Sequence, residues 1–294
     1  MRIVVLRALG LGDLLTIVPA LRGLRAAFPA AHLVLAGPSA LASLAVAAGV
    51  DEVVDTRPLA PVDPSLHGAE LAVNLHGRGP QSTALLAATH PGRLISYGLS
   101  SEWRADEHEV ARWCRLLVEA GIDADPAALD LEPPAVASPA PGAVVVHTGA
   151  AQPSRLWPVE RWAAVVAAVT VQGHHVVLTG SAAERERALS VAACAGLDEG
   201  QVLAGRTNLG QLAALVAGAR LLVSVDTGVA HLATAYGTSS VVLFGPTPPA
   251  LWGPPADRPQ HRVIWAGARG DNFGPGVDAG LLRLTAAEVI CHLP

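Results

Sequence analysis

The sequence contains no lysine, and all 20 of its basic residues are arginines. Pyridoxal enzymes need a lysine for their Schiff base, and P-loops carry one in their Gly-Lys-Ser/Thr signature, so both classes are excluded. The formal net charge is −5, and no basic tract interrupts the chain. A nucleic acid is therefore not expected as a partner.

Cysteine is also scarce, and its three copies, Cys114, Cys194 and Cys291, lie far apart. The chain has no CxxC pair, no Cys/His spacing suited to zinc, and no HExxH among its 11 histidines. These patterns predict no metal site. They also predict that the cysteines are small buried hydrophobes in a reducing compartment.

Long hydrophobic runs are missing although 51% of the residues are hydrophobic. The longest apolar tract, residues 209–225, is interrupted by glycine, glutamine and arginine, which favours a helix followed by a strand over a membrane span. Arg7 and Asp13 interrupt the first apolar run, so we expect no signal peptide. The expected location is cytoplasmic, and contact with the inner face of the membrane remains compatible with the apolar composition.

Strand-like apolar runs alternate with helical spacing in both halves of the chain, which predicts α/β domains with doubly wound parallel sheets. The first half has five such runs and one long first helix that reaches residue 28. Four prolines within residues 133–142 predict a stiff linker. The second half has strands at 143–147, 175–178, 201–203, 221–225 and 241–244, the last ending the series.

We therefore predict two Rossmann-like domains, residues 1–134 and 143–294, that face each other across a cleft. The final helix begins at Thr285, with Glu288 completing a capping box. It is a candidate for packing back on the first domain.

The first candidate site is the glycine turn Gly10-Leu11-Gly12-Asp13, which follows the first strand. It is not a dinucleotide fingerprint, because GxGxxG would need glycine where Leu15 stands. The turn places the Asp13 carboxylate at the start of a helix. Asp13 is then either a general base facing the cleft or an ordinary helix cap.

A second strand-to-helix junction occurs at Ser224-Val225-Asp226-Thr227-Gly228. A helix that starts at the carboxyl end of a parallel strand favours an anion such as phosphate. Asp226 would repel that anion, so it either accepts hydrogen bonds from sugar hydroxyls or, like Thr227, caps the helix.

Two further residues of the second half are candidates for nucleotide contacts. Arg155 lies in the loop from Thr148 and Gly149 to Pro158, and its planar guanidinium suits phosphate oxygens. Glu184 follows the next strand, where it either binds ribose hydroxyls or is a solvated residue of a first helical turn.

Taken together, these segments resemble glycosyltransferase family 9, the heptosyltransferase-like enzymes of the GT-B class. The matching segments are Leu6 to Asp13 with Pro19-Ala20-Leu21, Asn74-Leu75-His76-Gly77, Arg155-Leu156-Trp157-Pro158, Asp226 to His231, and Phe244-Gly245-Pro246-Thr247. They occur in the family's order and span most of the chain.

The resemblance implies an inverting, metal-independent transfer of a heptose or related sugar from a nucleoside-diphosphate sugar, for which ADP is the expected nucleotide, to an acceptor hydroxyl. Asp13 would be the catalytic base. In the family, the positions that match Arg155, Asp226, Thr227 and Gly228 hold the donor's phosphates and sugar, and we predict further donor contacts at Gly149, Glu184 and His231. Gly12, His76 and Arg78 are the candidates for acceptor binding, with surface or capping roles as the alternative for His76 and Arg78.

The resemblance implies no cofactor, and it leaves the acceptor open among a glycan, a glycolipid and a small molecule. The sequence departs from the family at Ala8 and Leu9, where a serine or threonine is frequent, and at Arg155-Leu156, where a lysine usually precedes Trp-Pro. Asp123-Ala124-Asp125 imitates a metal motif of other glycosyltransferases, but its position before Pro126 favours a turn. The alternatives are another GT-B nucleotide-sugar enzyme or a non-catalytic nucleotide-sugar-binding module.

Overall fold

The computed structural model describes residues 1–293 and divides the chain into two compact α/β units, one of residues 1–131 and one that begins at Glu132. The proline-rich segment 133–142 contains neither helix nor strand and belongs to the second unit. Among the described residues, no helix is long and apolar enough to cross a membrane.

The first unit is built on a five-stranded parallel sheet in the order β3-β2-β1-β4-β5. Its strands are β1 (Arg2–Leu6), β2 (His32–Gly37), β3 (Glu52–Asp55), β4 (Leu71–Asn74) and β5 (Arg93–Ile95). Its helices are α1 (Leu11–Thr16), α2 (Val18–Ala27), α3 (Ala42–Ala47), α4 (Gln81–Ala87) and α5 (Glu109–Glu119). The central strands are apolar because both faces of the sheet are covered.

The second unit repeats this plan with a parallel sheet in the order β10-β9-β8-β6-β7. Its strands are β6 (Val144–His147), β7 (Val176–Thr179), β8 (Leu221–Val225), β9 (Ser240–Phe244) and β10 (His261–Trp265). Its helices are α6 (Val159–Val171), α7 (Arg185–Ala195), α8 (Leu209–Ala217), α9 (Gly228–Tyr236), α10 (Pro249–Trp252), α11 (Ala279–Arg283) and α12 (Ala286–Cys291). The core includes Trp157 and Trp162, whose rings meet edge to face.

In each sheet, consecutive strands are first added on one side of the starting strand and then on its other side. This topological switch point lies between β1 and β4 in the first unit and between β6 and β8 in the second. Ligands of open α/β sheets bind in the crevice outside the carboxyl ends of the strands at such a switch point. The loops after β1, β4, β6 and β8 are therefore the places to look for function.

Several sequence expectations need correction. The long first helix is two helices, because α1 ends at Thr16 and α2 begins at Val18, with Pro19 in its first turn. Residues 201–203 form no strand; only a single bridge joins Val202 to Leu178. The last strand of the second sheet is not β9, as expected, but β10, an edge strand whose Arg262 is exposed.

The cysteine expectation holds for one residue of three. Cys114 is buried, whereas Cys194 and Cys291 are exposed on helices α7 and α12. The capping box at the start of α12 is present, since Thr285 and Glu288 exchange hydrogen bonds. Helix α12 packs against α6 of its own unit.

Candidate active site

One candidate site lies at the β1/β4 switch point of the first unit. Helix α1 starts there, with Gly10 as its N-cap, Gly12 half-buried in its first turn and Asp13 at the third helical position. Asp13 is therefore not the N-cap. Its Oδ2 accepts a hydrogen bond from the Gly10 backbone N–H at 3.2 Å, which closes the turn.

The Asp13 carboxylate is held on its other side by Arg7, the residue that follows β1. Arg7 Nη2 donates to Asp13 Oδ1 at 2.8 Å, and Arg7 Nε donates to the Asp13 carbonyl at 3.1 Å. The Asp13 side chain is 30% exposed, whereas that of Arg7 is 1% exposed. The carboxylate is thus fixed from the protein side and open to solvent on the other, which suits a base that meets its substrate from outside.

Arg7 is shared with a second carboxylate that the sequence pattern did not reveal. Glu109, the first residue of α5, is buried and accepts from Arg7 Nη2 at 3.0 Å. Its carboxylate also accepts from Arg112 Nη1 and Trp113 Nε1, both at 2.8 Å. A buried chain of alternating charges therefore runs from Arg112 through Glu109 and Arg7 to Asp13.

His76 lies beside this chain in the loop after β4. Its Nδ1 accepts a hydrogen bond from the Ala8 backbone N–H at 3.2 Å, so the ring proton is on Nε2. Burial lowers the pKa of His76 and the charge of Arg7 lowers it further, against an opposing effect of Asp13. His76 is therefore a neutral donor close to Asp13, and Asn74 Oδ1 fixes its backbone.

Arg78 is exposed and lies away from this hydrogen-bonded chain, on the wall of an open groove of about 1170 Å³. The groove runs along helix α4 and the segment from Tyr97 to Trp103 and is mainly apolar. Of the three residues predicted to contact an acceptor, Gly12 and His76 thus lie at the switch point, and Arg78 borders the neighbouring groove.

A second candidate site lies at the β6/β8 switch point of the second unit. His147, the last residue of β6, is in register with Ser224 of β8 and with Thr179 of β7. The loops carrying Gly149 and Asp226 therefore leave the sheet side by side. Helix α9 begins at Gly228, directly after Asp226 and Thr227.

Asp226 and Arg155 form a partly buried ion pair at the carboxyl end of β8. Arg155 Nη1 lies 3.6 Å from Asp226 Oδ2 and donates to the Asp226 carbonyl at 3.0 Å. Asp226 is 5% exposed. Burial raises its pKa to about 6, although the charge of Arg155 acts in the opposite direction. A carboxyl that is partly protonated near neutral pH repels a neighbouring phosphate less than an ordinary aspartate does.

Thr227 occupies the N-cap position of α9, as one of the alternatives predicted, but its side chain makes no capping hydrogen bond. The Thr227 Oγ1 atom is instead buried without a partner among the described residues, as are Thr148 Oγ1 and Ser224 Oγ. Buried hydroxyls without protein partners are unusual and frequently mark places where a ligand or water binds.

Gly149 and Glu184 are in direct contact. A Cβ atom at position 149 would collide with the Glu184 carboxylate. That carboxylate also accepts from the Ser181 backbone N–H at 2.6 Å, so Glu184 closes a capping box after β7. Glu184 is thus neither purely solvated nor free to reorient. One role of Gly149 is to leave space for the Glu184 carboxylate, since it has no Cβ atom.

Two further residues of this site were not predicted from the sequence. His147 is buried, contacts Thr179 Oγ1 through Nδ1 at 3.0 Å, and has its pKa lowered by burial. Asn272 accepts from Arg155 Nε at 2.8 Å and thereby orients the guanidinium. His147 could have been noticed from its position at the end of a strand, whereas Asn272 lies 117 residues from its partner.

His231 lies on the second turn of α9, and its ring centroid is 6.0 Å from that of Trp252. In the part of the chain that the structure describes, no three His, Cys, Asp or Glu side chains are grouped as metal ligands. The Asp123-Ala124-Asp125 segment leads into a turn at residues 126–127, where Asp125 Oδ1 accepts from the Ala127 N–H at 2.9 Å.

Comparison with known proteins identifies the family. The chain matches the family model "Glycosyltransferase family 9 (heptosyltransferase)" over residues 89–269. It is 43% identical over 127 residues to lipopolysaccharide heptosyltransferase 1 of Pseudomonas aeruginosa. That match covers 42% of this chain and 35% of the Pseudomonas protein, so it spans about a third of that relative's length.

Solved structures resemble the chain over nearly its whole length. A family 9 glycosyl transferase from Veillonella parvula and the E. coli ADP-heptose lipopolysaccharide heptosyltransferase II both give a TM-score of 0.78 at 21% identity. They cover 99% of this chain, which covers 95% and 96% of theirs. The expected fold class, GT-B with two Rossmann-like domains, is thereby confirmed. The matched family model, which covers more than half of the sequence, shows that this chain belongs to glycosyltransferase family 9.

Proposed function

We propose that this protein transfers a heptose from ADP-heptose to an acceptor hydroxyl, with inversion at the anomeric carbon and without a metal ion. Membership of family 9 supports the reaction class. The names of the Pseudomonas relative and the E. coli structural neighbour, a lipopolysaccharide heptosyltransferase and an ADP-heptose heptosyltransferase, support the sugar and the nucleotide.

The observation that carries the proposal is the arrangement around Asp226 and Arg155. A fixed guanidinium, the start of the nine-residue helix α9 and the unpartnered Thr227 hydroxyl meet at the carboxyl end of β8. Guanidinium and helix N–H groups are donors that suit a diphosphate, and a buried carboxyl suits sugar hydroxyls. We therefore assign donor binding to this edge, with Gly149, Glu184, Gly228 and His231 beside it.

Asp13 is assigned the role of general base. In the proposed step the acceptor oxygen forms a bond to the anomeric carbon while the bond from that carbon to the donor phosphate oxygen breaks. Asp13 takes the hydroxyl proton, and the diphosphate leaves with the bonding electron pair. Arg155 and the N–H groups of α9 stabilise the charge that develops on the diphosphate, which is why no metal ion is invoked.

The acceptor is assigned to the first unit, where Gly12 and His76 lie close to Asp13. Its chemical class is a glycan or glycolipid hydroxyl, and Arg78 would meet a negatively charged part of it. A glycolipid acceptor would place a cytoplasmic enzyme at the inner face of the membrane.

The first experiment measures thermal stabilisation by ADP, UDP, GDP and dTDP, followed by ADP release from ADP-heptose in the presence of acceptor glycans. We expect stabilisation by ADP in preference to the other nucleotides, and acceptor-dependent release of ADP. Stabilisation without turnover would instead indicate a nucleotide-sugar-binding module. Absence of stabilisation by every nucleotide would contradict the donor assignment.

The second experiment compares Asp13→Asn with Asp123→Asn. Removal of a general base typically costs roughly 100- to 10,000-fold in rate. We expect this loss in kcat for Asp13→Asn, with ADP affinity unchanged because Asp13 lies in the other unit from Arg155. Asp123 is exposed and belongs to the segment that imitates a metal motif, so Asp123→Asn should retain full activity. Normal turnover by Asp13→Asn would refute the base assignment.

A further inference from the structure

The loop between β6 and α6 carries Arg155, and one side chain of α7 holds both ends of this loop. Arg187 donates from Nε to the Thr148 carbonyl at 3.0 Å and from Nη2 to the Trp157 carbonyl. These two carbonyls lie on either side of the short 3₁₀ turn Pro153–Arg155. The backbone that presents Arg155 is therefore fixed to a helix of the same unit.

The middle of the loop is tied to a second segment, residues 270–278, which follows the edge strand β10. Ser154 is fully buried, and its Oγ donates to the Asn272 carbonyl at 2.7 Å. The Ser154 carbonyl accepts from the Asp278 N–H at 2.9 Å. The 270–278 segment is thus anchored to the loop by contacts that do not involve the Asn272 side chain.

The Asn272 side chain contacts the guanidinium itself. Its Oδ1 accepts from Arg155 Nε at 2.8 Å, while Arg155 Nη1 donates to the Asp226 carbonyl at 3.0 Å. A planar guanidinium that is bound at two of its three nitrogens has a fixed orientation. The third nitrogen, Nη2, has no hydrogen-bond partner among residues 1–293 and reaches solvent. Arg155 therefore presents one defined end to a ligand.

We propose that Asn272 is a positioning residue that aims the free Nη2 end of Arg155 at the diphosphate of the nucleotide-sugar donor. The inference rests on the proposed function, in which Arg155 binds that diphosphate. A mobile arginine has many rotamers, and ordering it on binding lowers affinity by roughly 2- to 12-fold. Asn272 moves this ordering into the folding of the protein. It acts through Arg155 and needs no contact with the ligand.

The experiment is calorimetric titration with ADP of the full chain as wild type, Asn272→Ala, Arg155→Ala and the double variant. Asn272→Ala should weaken ADP binding by roughly 2- to 12-fold, because Arg155 must then be ordered by the ligand. In the Arg155→Ala background the same change should have no effect, since no guanidinium remains to be oriented. An equal loss in both backgrounds would mean that Asn272 does not act through Arg155, and it would overturn the proposal, as would no loss in either.

Phe273→Ala is the matched control. It truncates the neighbouring side chain, which is 75% exposed, and leaves the two hydrogen bonds of Asn272 in place. ADP affinity should equal that of the wild type. A loss as large as that of Asn272→Ala would assign the effect to the whole segment and contradict a role through the guanidinium. Asn272→Leu covers the case in which the alanine variant does not fold. It has a similar volume but no acceptor, and it should lose the same affinity.

A kinetic measurement adds a second readout. In a working transfer assay, Asn272→Ala should raise the donor KM and lower kcat, because the same guanidinium stabilises the charge that develops on the leaving diphosphate. The acceptor KM should stay unchanged. Wild-type protein that binds no nucleotide would refute the proposed donor site itself. ADP binding that is weakened by Arg155→Ala but not by Asn272→Ala would refute only this inference.

Discussion

Replacing Asp226 with asparagine should change how the stability of the protein depends on pH. Asp226 ionises with a pKa of 3.8 in its ordinary state, whereas burial raises that pKa to about 6 in the folded chain. The folded state thus holds the proton more tightly than the unfolded state. Stability from this group is fully present below pH 3.8 and is lost as pH rises through about 6.

The size of the effect follows from the pKa difference. A shift from 3.8 to about 6 corresponds to about 3 kcal/mol once the group is fully ionised in both states. Between about pH 4.5 and about pH 7.5 the wild type should lose about 2 kcal/mol of this. Asparagine does not titrate, so its stability relative to the wild type should rise by that amount over the same range.

The assay is urea unfolding of both proteins at several pH values, followed by tryptophan fluorescence. Over the same pH range, the melting temperature of the variant relative to that of the wild type should rise by roughly 4 to 8 °C. Asp257→Asn, at an exposed position, is the control for loss of one negative charge. A stability difference between Asp226→Asn and wild type that stays constant with pH would refute the assignment of a buried, proton-retaining carboxyl.

Three further predictions concern the proposed donor binding and transfer. Arg155→Ala should weaken ADP binding by roughly 10- to 150-fold in calorimetry, the value of a charge-assisted hydrogen bond, whereas Arg220→Ala, at the amino end of β8, should not. Gly149→Ala should displace Glu184 from its capping position and lower the free energy of unfolding by about 1 kcal/mol, measured by thermal unfolding. The loss should be smaller when Glu184 is already replaced by alanine. An equal loss in both backgrounds would contradict the contact between Gly149 and Glu184. Sugar transfer should be unaffected by a chelator, and loss of activity that added metal restores would contradict the metal-free proposal.

Much of the fold could be predicted because parallel strands buried on both faces are short apolar runs with little ambiguity. Strand β8 and helix α8 lie where the pattern placed them. Strand β10 was missed because it is an edge strand with polar residues at His261 and Arg262. The prediction of a strand at 201–203 is wrong because the pattern of apolar residues alone does not show whether an adjacent strand is available for continuous hydrogen bonding.

The candidate site was predictable only where it follows the chain locally. Asp226 comes directly after a predicted strand and Asp13 lies at the end of the glycine turn that follows another, so their places beyond the carboxyl ends of these strands could be foreseen. Their partners could not, because Glu109 lies 102 residues from Arg7 and Asn272 lies 117 from Arg155. Such contacts depend on tertiary packing, which leaves no spacing signal in the sequence.

The most direct test of the account is the rate of ADP release from ADP-heptose by wild type and Asp13→Asn, measured with and without acceptor glycans. The account predicts release that depends on acceptor in the wild type and falls by at least roughly 100-fold in the variant, while both bind ADP equally well. Equal rates in the two proteins, or tight ADP binding with no release by either, would contradict it.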